Sequence, residues 1–242
     1  MKLPDMHDGR VDMQYWFPKL AAIPAIPVPK TILLSAPNDL ISVLDGKLPD
    51  GFEAFILQVQ SAIGEVGLPA FLRTGYGSGK HYWEDTCYVT SVDSIGQHVS
   101  ELVEWSECVS LIGLPTDTWA VREFLPCDSP FTAFRGQMPI TKERRVFIDS
   151  GHIRCSHPYW PEEAVEMGKP ADLAWREKLK QTHLMSDADS SEIIRLAELV
   201  AQAFSDWWSV DFLQTRLGWF VIDMAPGEVS FHWPGCILAK RS

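Results

Sequence analysis

Two aspartates near the C-terminus are the residues whose types and spacing most directly suggest chemistry. Asp211 and Asp223 lie in two strand-like runs, residues 210–215 and 219–224, which are separated by Arg216-Leu217-Gly218. Pairing the runs as a hairpin with that three-residue loop places Asp211 opposite Asp223. The other face of the hairpin is then nearly all apolar. This favours the register, because a slip of one residue would send those apolar side chains to the wrong face.

The same register pairs Thr215 with Trp219 and Leu213 with Val221. Two carboxylates opposite each other have Cβ atoms about 5 Å apart, and like charges in this arrangement destabilise a sheet. A cation or a shared proton would relieve the repulsion. Because Mg²⁺ is commonly held by one or two protein carboxylates together with substrate phosphates, the hairpin predicts a metal and phosphate site.

Two simpler interpretations of the aspartates stay open. A two-residue loop at Leu217-Gly218 would place Asp211 and Asp223 on opposite faces of the hairpin. Aspartate is also common near strand ends as ordinary solvated surface. Either case would remove the argument for a metal.

Length, composition and charge set the broad class of the protein. The 242 residues, of which 46% are hydrophobic and 22% charged, suffice for one sizeable domain or two small lobes around a shared cleft. The formal net charge of −11 argues against non-specific binding of nucleic acid, which requires a basic surface. It is compatible with a local basic pocket.

The cysteines are odd in number, widely spaced and without a Cys-x-x-Cys pair: Cys87, Cys108, Cys127, Cys155 and Cys236. This spacing argues against a zinc site and against a disulfide framework, and it favours a reduced, cytoplasmic compartment. His152 and His157 flank Cys155, but a strand of alternating polar residues explains them without a zinc or nucleophile role. We find no secretory signal pattern and no apolar run near the roughly 20 residues that span a bilayer, so no membrane association is expected.

Hydrophobic periodicity predicts strands joined mostly as hairpins and a few packed helices, which is an α+β architecture. The predicted helices lie at about 51–66, from 94 onward, 162–181 and 190–206, and the predicted strands at 30–34, 70–73, 86–89, 119–124, 131–135, 145–149 and 152–156. Asp50 with Glu53 resembles a capping box for the first of these helices. Residues 1–30 are rich in proline and are expected to wrap the surface.

Two segments place cations where an anion could bind. Arg73 and Lys80 flank three glycines, whose backbone can curl so that N–H groups approach a phosphate. The segment is not a Walker A loop, and an ordinary flexible turn is the alternative. Arg144 and Arg145 enter a predicted strand, so only one of them can face a cleft because successive side chains point to opposite faces. The alternative is that both are solvated charges at a strand edge.

Taken in order, these segments resemble the ATP-grasp superfamily. They are similar in particular to a clade found in phages and bacteria and to the eukaryotic cell-division-cycle proteins that help to assemble a translation initiation factor. The resemblance covers about residues 68–236. The segments that carry it are Phe71-Leu72-Arg73 with Lys80, residues 121–126, residues 143–151, Val210-Asp211-Phe212 and residues 222–227.

The resemblance implies a nucleotide held between two α+β lobes with antiparallel sheets. Residues 68–125 would form the small lobe, residues 126–242 the large lobe with the metal-binding hairpin, and residues 1–67 an N-terminal segment or small subdomain. By this resemblance Arg73 and Lys80 would contact the ATP phosphates. The hinge whose backbone binds adenine would consist of Arg122, Glu123, Phe124 and Leu125.

In the second lobe, the resemblance implies that Arg145 stabilises the transferring phosphoryl group and that Asp211 and Asp223 hold Mg²⁺ or Mn²⁺. The family usually ends its last strand with a carboxylate, any residue and then asparagine, whereas this chain has Asp223-Met224-Ala225. The missing amide leaves three possibilities: one metal ion binds more weakly, another group such as Glu228 replaces the amide, or catalysis is impaired.

The family's usual chemistry is the ATP-dependent joining of a carboxylate to an amine through an acyl-phosphate, with a small molecule or a protein as acceptor. A competing hypothesis is a non-catalytic ATP-binding assembly factor that grips a protein partner. Four tryptophans could then line the partner surface, although core packing is the default for each: Trp160, Trp207, Trp208 and Trp233. Action on an RNA end is disfavoured by the net charge of −11.

Overall fold

The structure is a computed structural model that describes residues 8–109, 111–236 and 238. These residues form two compact units. Unit 1 contains residues 8–11, 15–28 and those from 126 onward, and unit 2 contains residues 12–14 and 29–125. The chain therefore leaves unit 2 at Leu125 and enters unit 1 at Pro126. Across the described residues, every helix is too short or too polar to cross a lipid bilayer.

Unit 2 is built on a four-stranded antiparallel sheet with the order β1-β4-β2-β3. Its strands are β1 (Thr31–Ser35), β2 (Ala70–Thr74), β3 (Tyr88–Val89) and β4 (Thr118–Glu123), and its long helices are α2 (Phe52–Val66) and α3 (Ile95–Cys108). One face of the sheet packs on both helices through Leu72, Trp119 and Val121. Because side chains alternate along a strand, Arg73 of β2 and Arg122 of β4 lie on the opposite face.

Unit 1 is built on a second four-stranded antiparallel sheet, with the order β10-β9-β7-β8. Its strands are β7 (Glu143–Asp149), β8 (His152–Pro158), β9 (Trp208–Thr215) and β10 (Gly218–Pro226), and a two-stranded sheet joins β5 (Phe131–Ala133) to β6 (Met138–Ile140). Its helices are α4 (Glu162–Met167), α5 (Trp175–His183) and α6 (Asp187–Ala203).

Helix α6 lies on the apolar face of the unit 1 sheet. That face is formed by buried side chains, namely Val146, Ile148, Val210, Phe212, Val221 and Met224. The first turn of α6 is fastened there by Asp189, which accepts hydrogen bonds from Gln214 Nε2 (2.8 Å) and Trp219 Nε1 (2.9 Å). The opposite face of the sheet is consequently free of α6 and carries polar side chains.

The N-terminal residues contain a helix that the sequence analysis did not predict. Helix α1 (Met13–Ala21) includes Pro18, and its Met13, Trp16 and Leu20 have no exposed surface. These three positions share one face of a helix because they are three and four residues apart. The expectation that this segment only wraps the surface is therefore wrong for residues 13–20.

Two local predictions about helices are also wrong. The N-cap of α2 is Gly51, whose φ is 84°, and no side chain caps the helix, so Asp50 and Glu53 do not form a capping box. The expected helix at 162–181 is two helices, because the chain leaves α4 at Gly168 and Pro170 follows before α5. The capping box is found instead at α6, between Ser186 and Asp189.

The β9–β10 hairpin differs from the predicted one in its loop. Thr215 pairs with Gly218, so the loop contains two residues, Arg216 and Leu217, and not three. The two expected pairs near the loop are consequently wrong, since Trp219 pairs with Gln214 and Val221 pairs with Phe212.

A β-bulge at Ile222 restores the predicted pairing further along the hairpin. The bulge adds one unpaired residue to β10 and shifts the register by one, so that Asp223 pairs with Asp211. The alternative interpretation, in which the two aspartates lie on opposite faces, does not hold. The prediction that they face each other is correct, although the loop from which it was argued is not.

Candidate functional site

Four polar residues form a row across the unit 1 sheet. Arg145 on β7 pairs with His157 on β8 and with Asp211 on β9, and Asp211 pairs in turn with Asp223 on β10. Residues that pair directly across strands point to the same side of a sheet. The four side chains therefore lie together on the polar face, opposite α6.

At the centre of the row, Arg145 and Asp211 form a bidentate ion pair. Arg145 donates from Nε to Asp211 Oδ1 and from Nη2 to Asp211 Oδ2, each over 2.7 Å. The side chains are 16% and 6% exposed, respectively. The guanidinium carbon lies 4.8 Å from the ring centroid of Tyr159, and Nη1 donates to the carbonyl of Phe231 over 3.5 Å. Such fork-like contacts fix the orientation of both groups.

The ion pair reduces the electrostatic repulsion between the carboxylates of Asp211 and Asp223. Burial alone would lower the pKa of Arg145, but the charge of Asp211 and its hydrogen bonds, together with the charge of Asp223, outweigh burial and raise it, so the guanidinium stays charged. In this structure a guanidinium thus relieves the repulsion between the aspartates. Asp223 additionally accepts a hydrogen bond from the backbone N–H of Met224 (3.0 Å).

The donor set of the row fits Mg²⁺. Each carboxylate offers about four lone-pair sites, so a single carboxylate can accept hydrogen bonds and bind a cation at the same time. Two adjacent carboxylates facing the same way are the ligands that Mg²⁺ prefers. Arg145 would keep the pair from carrying a net charge of −2 when no cation is bound.

The position of the family's asparagine is filled differently here. Ala225 pairs with Ser209, whose hydroxyl contacts the carbonyl of Ala225 (3.3 Å) and the hydroxyl of Ser230 (2.6 Å). Glu228, which could replace the amide, lies on a 3₁₀ turn at Gly227–Val229. Its carboxylate is half exposed and 4.0 Å from Arg10. Its role as a ligand stays a hypothesis.

In unit 2 the predicted phosphate-binding residues lie around a packed glycine loop. A Cβ atom at Gly77 would overlap the ring of Trp105, and one at Gly75 would overlap Asp12. Gly79 has a φ of 59° and leads into the 3₁₀ turn Lys80–Tyr82. The glycines are therefore required by close packing and by a left-handed backbone, which differs from an ordinary flexible turn.

The charges of Arg73 and Lys80 both affect the pKa of the buried Cys87. Burial raises the pKa of the Cys87 thiol to about 12, while Lys80 and Arg73 act in the opposite direction through their charges. Arg73 also donates from Nε to the carbonyl of Thr74 (3.0 Å). The structure thus brings both predicted cations into electrostatic range of one residue.

The predicted hinge residues lie at the end of β4. Arg122 is buried and donates from Nε to the hydroxyl of Thr31 (3.1 Å). Glu123 is the last residue of β4, and its carboxylate accepts from the N–H of Lys30 (2.8 Å). The Phe124 ring meets Tyr88 edge-on, with centroids 5.0 Å apart, and Leu125 is buried. These contacts hold the segment directly before the chain leaves unit 2.

One group of residues was not predicted to act together. Cys155, His157, His232 and Cys236 place one potential ligand atom each within 4.8 Å of one another. Burial, followed by the nearby His232, Arg144 and Arg145, lowers the pKa of His157 to about 4, so this imidazole is neutral near pH 7. The wide spacing of the cysteines argues against a zinc site, and it does so because Cys155 and Cys236, like His157 and His232, are far apart in the chain.

Comparison with known proteins agrees with this fold. A family model described as "ATP-grasp domain, R2K clade family 3" matches residues 62–241. Curated protein sequences yield no match. Among solved structures, C-terminally truncated Cdc123 from Schizosaccharomyces pombe has a TM-score of 0.59 and 12% identity, over 93% of this chain and 87% of that chain.

Two further structures are longer than this chain. N5-carboxyaminoimidazole synthase from Aspergillus clavatus, in complex with ADP and 5-aminoimidazole ribonucleotide, has a TM-score of 0.53 and 12% identity, over 97% of this chain and 48% of that chain. A RimK domain ATP-grasp protein from Sphaerobacter thermophilus has a TM-score of 0.49 and 14% identity, over 92% and 62%. The chain thus spans less than two thirds of these two proteins. The predicted α+β ATP-grasp fold is confirmed.

Proposed function

Because this chain belongs to the ATP-grasp domain family of the R2K clade, family 3, we propose that it is an ATP- and Mg²⁺-dependent carboxylate–amine ligase. In the proposed reaction the γ-phosphoryl group of ATP passes to a substrate carboxylate, giving an acyl-phosphate and ADP. The nitrogen of an amine then attacks the acyl carbon, forms the amide bond and expels phosphate. The row of Arg145, Asp211 and Asp223 is the observation that carries the proposal.

Arg145 is proposed to stabilise the transferring phosphoryl group. A guanidinium offers several fixed N–H donors to the charge that spreads over phosphoryl oxygens, and such stabilisation is a main source of catalysis in this chemistry. Asp211 and Tyr159 fix the orientation of Arg145 before any substrate binds. A preoriented cation avoids the cost of reorganisation during the reaction.

Asp211 and Asp223 are the proposed ligands of Mg²⁺, for which Mn²⁺ could substitute. A bound divalent ion would neutralise charge on the phosphates. The chain supplies the two carboxylates on adjacent strands and holds Asp211 rigidly through its ion pair. Ala225 supplies no amide oxygen, so we expect a single firmly held ion and a weaker second one.

Unit 2 is proposed to bind the rest of the nucleotide. Arg73 and Lys80 would contact the phosphates, together with N–H groups of the glycine loop. The segment from Arg122 to Leu125, through Glu123 and Phe124, would bind adenine with its backbone. We also propose that residues 68–125 and 126–242 act as the small and large lobes. The acceptor would be a small molecule or a protein in the cytoplasm.

The test is a calorimetric titration of the full chain with Mg-ATP. We expect Asp223→Asn to weaken binding by about tenfold or more, which corresponds to about 1.4 kcal/mol or more. The matched control is Asp128→Asn, since it removes the same charge from a carboxylate that is 81% exposed and paired only with Arg216 in the described contacts. The control should bind Mg-ATP like the wild type.

Two results would contradict the site. One is unchanged affinity in the Asp223→Asn variant with an unaltered thermal unfolding curve, and the other is an equal loss of affinity in the Asp128→Asn control. Titration with Mn²⁺, followed by the electron spin resonance of the free ion, separates loss of metal from loss of nucleotide. Asp223→Asn should weaken Mn²⁺ binding even without ATP.

Turnover tests the ligase part of the proposal. Supplied with the correct acid and amine, the chain should release ADP and phosphate in equal amounts. A chain that binds Mg-ATP, retains one protein partner and shows no turnover would instead be an assembly factor.

A further inference from the structure

The cluster of two cysteines and two histidines joins a strand to the C-terminal segment. Cys155 and His157 are two residues apart on β8 and therefore share a face, the polar face of the unit 1 sheet. His232 and Cys236 follow the Gly227–Val229 turn, and the N–H of Cys236 donates to the carbonyl of Trp233 (3.3 Å). One sulfur or ring nitrogen from each of the four residues lies within 4.8 Å of the others.

The surroundings of the cluster are mostly aromatic. The ring of His232 lies 4.3 Å from that of Phe147 and stacks at 6.5 Å on that of Trp207, measured between centroids. The ring of His157 lies 4.8 Å from that of His232. Cys155 Sγ is 3.2 Å from His232 Nε2. Aromatic rings thus cover part of the cluster: His232 is buried, and Cys155, His157 and Cys236 are half-buried.

Two nitrogen atoms in the cluster are buried without a hydrogen-bond partner among the described residues. They are Nε2 of His157 and Nδ1 of His232. Burying a polar atom without a partner is unfavourable, and such atoms are uncommon in native proteins. A metal ion bound to Nε2 of His157 would supply the partner that this atom lacks. On His232 the nitrogen beside the cluster is Nε2, which is 3.2 Å from Cys155 Sγ, so a metal ion there would leave Nδ1 as it is. The burial of His157 Nε2 is an observation independent of the clustering.

We propose that Cys155, His157, His232 and Cys236 form a structural Zn²⁺ site. Two thiolates and two imidazoles in tetrahedral arrangement are a ligand set that selects zinc. Zinc bonds of about 2.3 Å to sulfur and 2.1 Å to nitrogen place the ligand atoms about 3.3–3.8 Å apart, so the cluster needs to contract by about 1 Å. Each cysteine releases its thiol proton to solvent when the metal binds.

The four protein ligands leave no open position, which is typical of structural zinc sites. The proposed role is to fasten residues 232–236 to β8 beside the row at the centre of unit 1. His157 is the strand partner of Arg145, and the carbonyl of Phe231, next to His232, accepts from Arg145 Nη1. The metal would therefore help to position Arg145. This inference does not depend on the ligase proposal.

The test measures metal in the full chain purified under reducing conditions from zinc-supplemented cells. We expect about one Zn²⁺ per chain, and replacement by Co²⁺ should give the absorption of tetrahedral cobalt with thiolate-to-cobalt charge transfer. Cys155→Ser and Cys236→Ser should each lose most of the zinc. The matched control is Cys108→Ser, at an exposed cysteine outside the cluster, which should retain it.

A second measurement uses the wild type alone, in case the variants do not fold. Alkylation mapped by mass spectrometry should spare Cys155 and Cys236 until a chelator removes the zinc, whereas Cys108 should react throughout. Three results would overturn the site: zinc well below one per chain with no cobalt spectrum, equal zinc in the Cys155→Ser variant, or a Cys155–Cys236 disulfide in protein purified under reducing conditions.

Discussion

Replacing Arg145 by methionine tests the central ion pair of unit 1 without reference to any ligand. Methionine retains much of the length of the arginine side chain but carries no charge. It therefore leaves Asp211, which is only 4% exposed, without its bidentate ion-pair partner. Removing one partner of a buried ion pair costs about 3–5 kcal/mol. The loss has an upper limit, because the stranded carboxyl can take up a proton instead. Protonating an ordinary aspartate at pH 7 costs about 4 kcal/mol.

We therefore expect Arg145→Met to lower the free energy of unfolding by about 3–4 kcal/mol at pH 7. With a urea m-value of about 2 kcal/mol per molar, the midpoint should fall by about 1.5–2 M. The assay is equilibrium unfolding in urea, followed by circular dichroism and by tryptophan fluorescence. The matched control is Arg195→Met, at an arginine that is half exposed and pairs with Glu192, for which we expect an unchanged urea midpoint.

The double variant Arg145→Met with Asp211→Asn separates the stranded charge from lost packing. Asparagine carries no charge, so the double variant should recover about 2 kcal/mol relative to Arg145→Met alone. A loss below about 1 kcal/mol in the single variant, or a double variant as unstable as the single, would refute the reasoning. In the first case the pair would be more solvated than its geometry indicates.

Burial would raise the pKa of Asp189, but hydrogen bonds, first among them that from Trp219, lower it to about 2. The carboxylate therefore contributes about 2 kcal/mol to the free energy of unfolding above pH 4, and this contribution is lost as the pH falls through 2. The stability difference between wild type and Asp189→Asn should accordingly be constant near neutral pH and shrink between pH 4 and 2; a difference that does not change would contradict this assignment. Gly227→Ala should destabilise the chain by about 1–3 kcal/mol, because a Cβ atom there would overlap the ring of Trp207. Gly64→Ala, in the last turn of α2 where a Cβ atom meets open space, should stabilise it by about 0.5–1 kcal/mol, and thermal unfolding of the two alanine variants should show shifts of opposite sign.

The sequence predicts those helices and strands whose formation depends on residues close together in the chain. The apolar spacing of Phe55, Val59 and Ile63 suffices to place α2, since it is a property of the helix itself. Helix α1 was missed because Pro18 suggested an irregular segment, although the chain buries Trp16 there. Its stability depends on residues distant in sequence, which periodicity does not reveal.

The candidate site shows the same division between local and distant causes. The facing of Asp211 and Asp223 could be predicted from two strand-like runs, but the bulge at Ile222 that produces it left no signal in the apolar pattern. The ion pair of Arg145 with Asp211 depends on the pairing of β7 with β9, which are separated by three helices. Sequence spacing carries no information about that pairing.

The zinc cluster was hidden for a related reason. Cys155 and His157 form a pair of ligands with one residue between them, and His232 and Cys236 form another with three. Neither spacing matches the familiar zinc motifs, and the two pairs meet only because the C-terminal segment returns to β8.

The bulge at Ile222 separates the part of β10 that contributes to the apolar core from the part that carries Asp223. On the loop side Val221 points to the apolar face with Phe212, and on the far side Asp223 points to the polar face with Asp211. Deleting Ile222 would join these two registers into one regular ladder in which Val221 still faces Phe212 and Asp223 still faces Asp211. A change of length, which in a regular strand sends side chains to the wrong face, is therefore tolerated at this position.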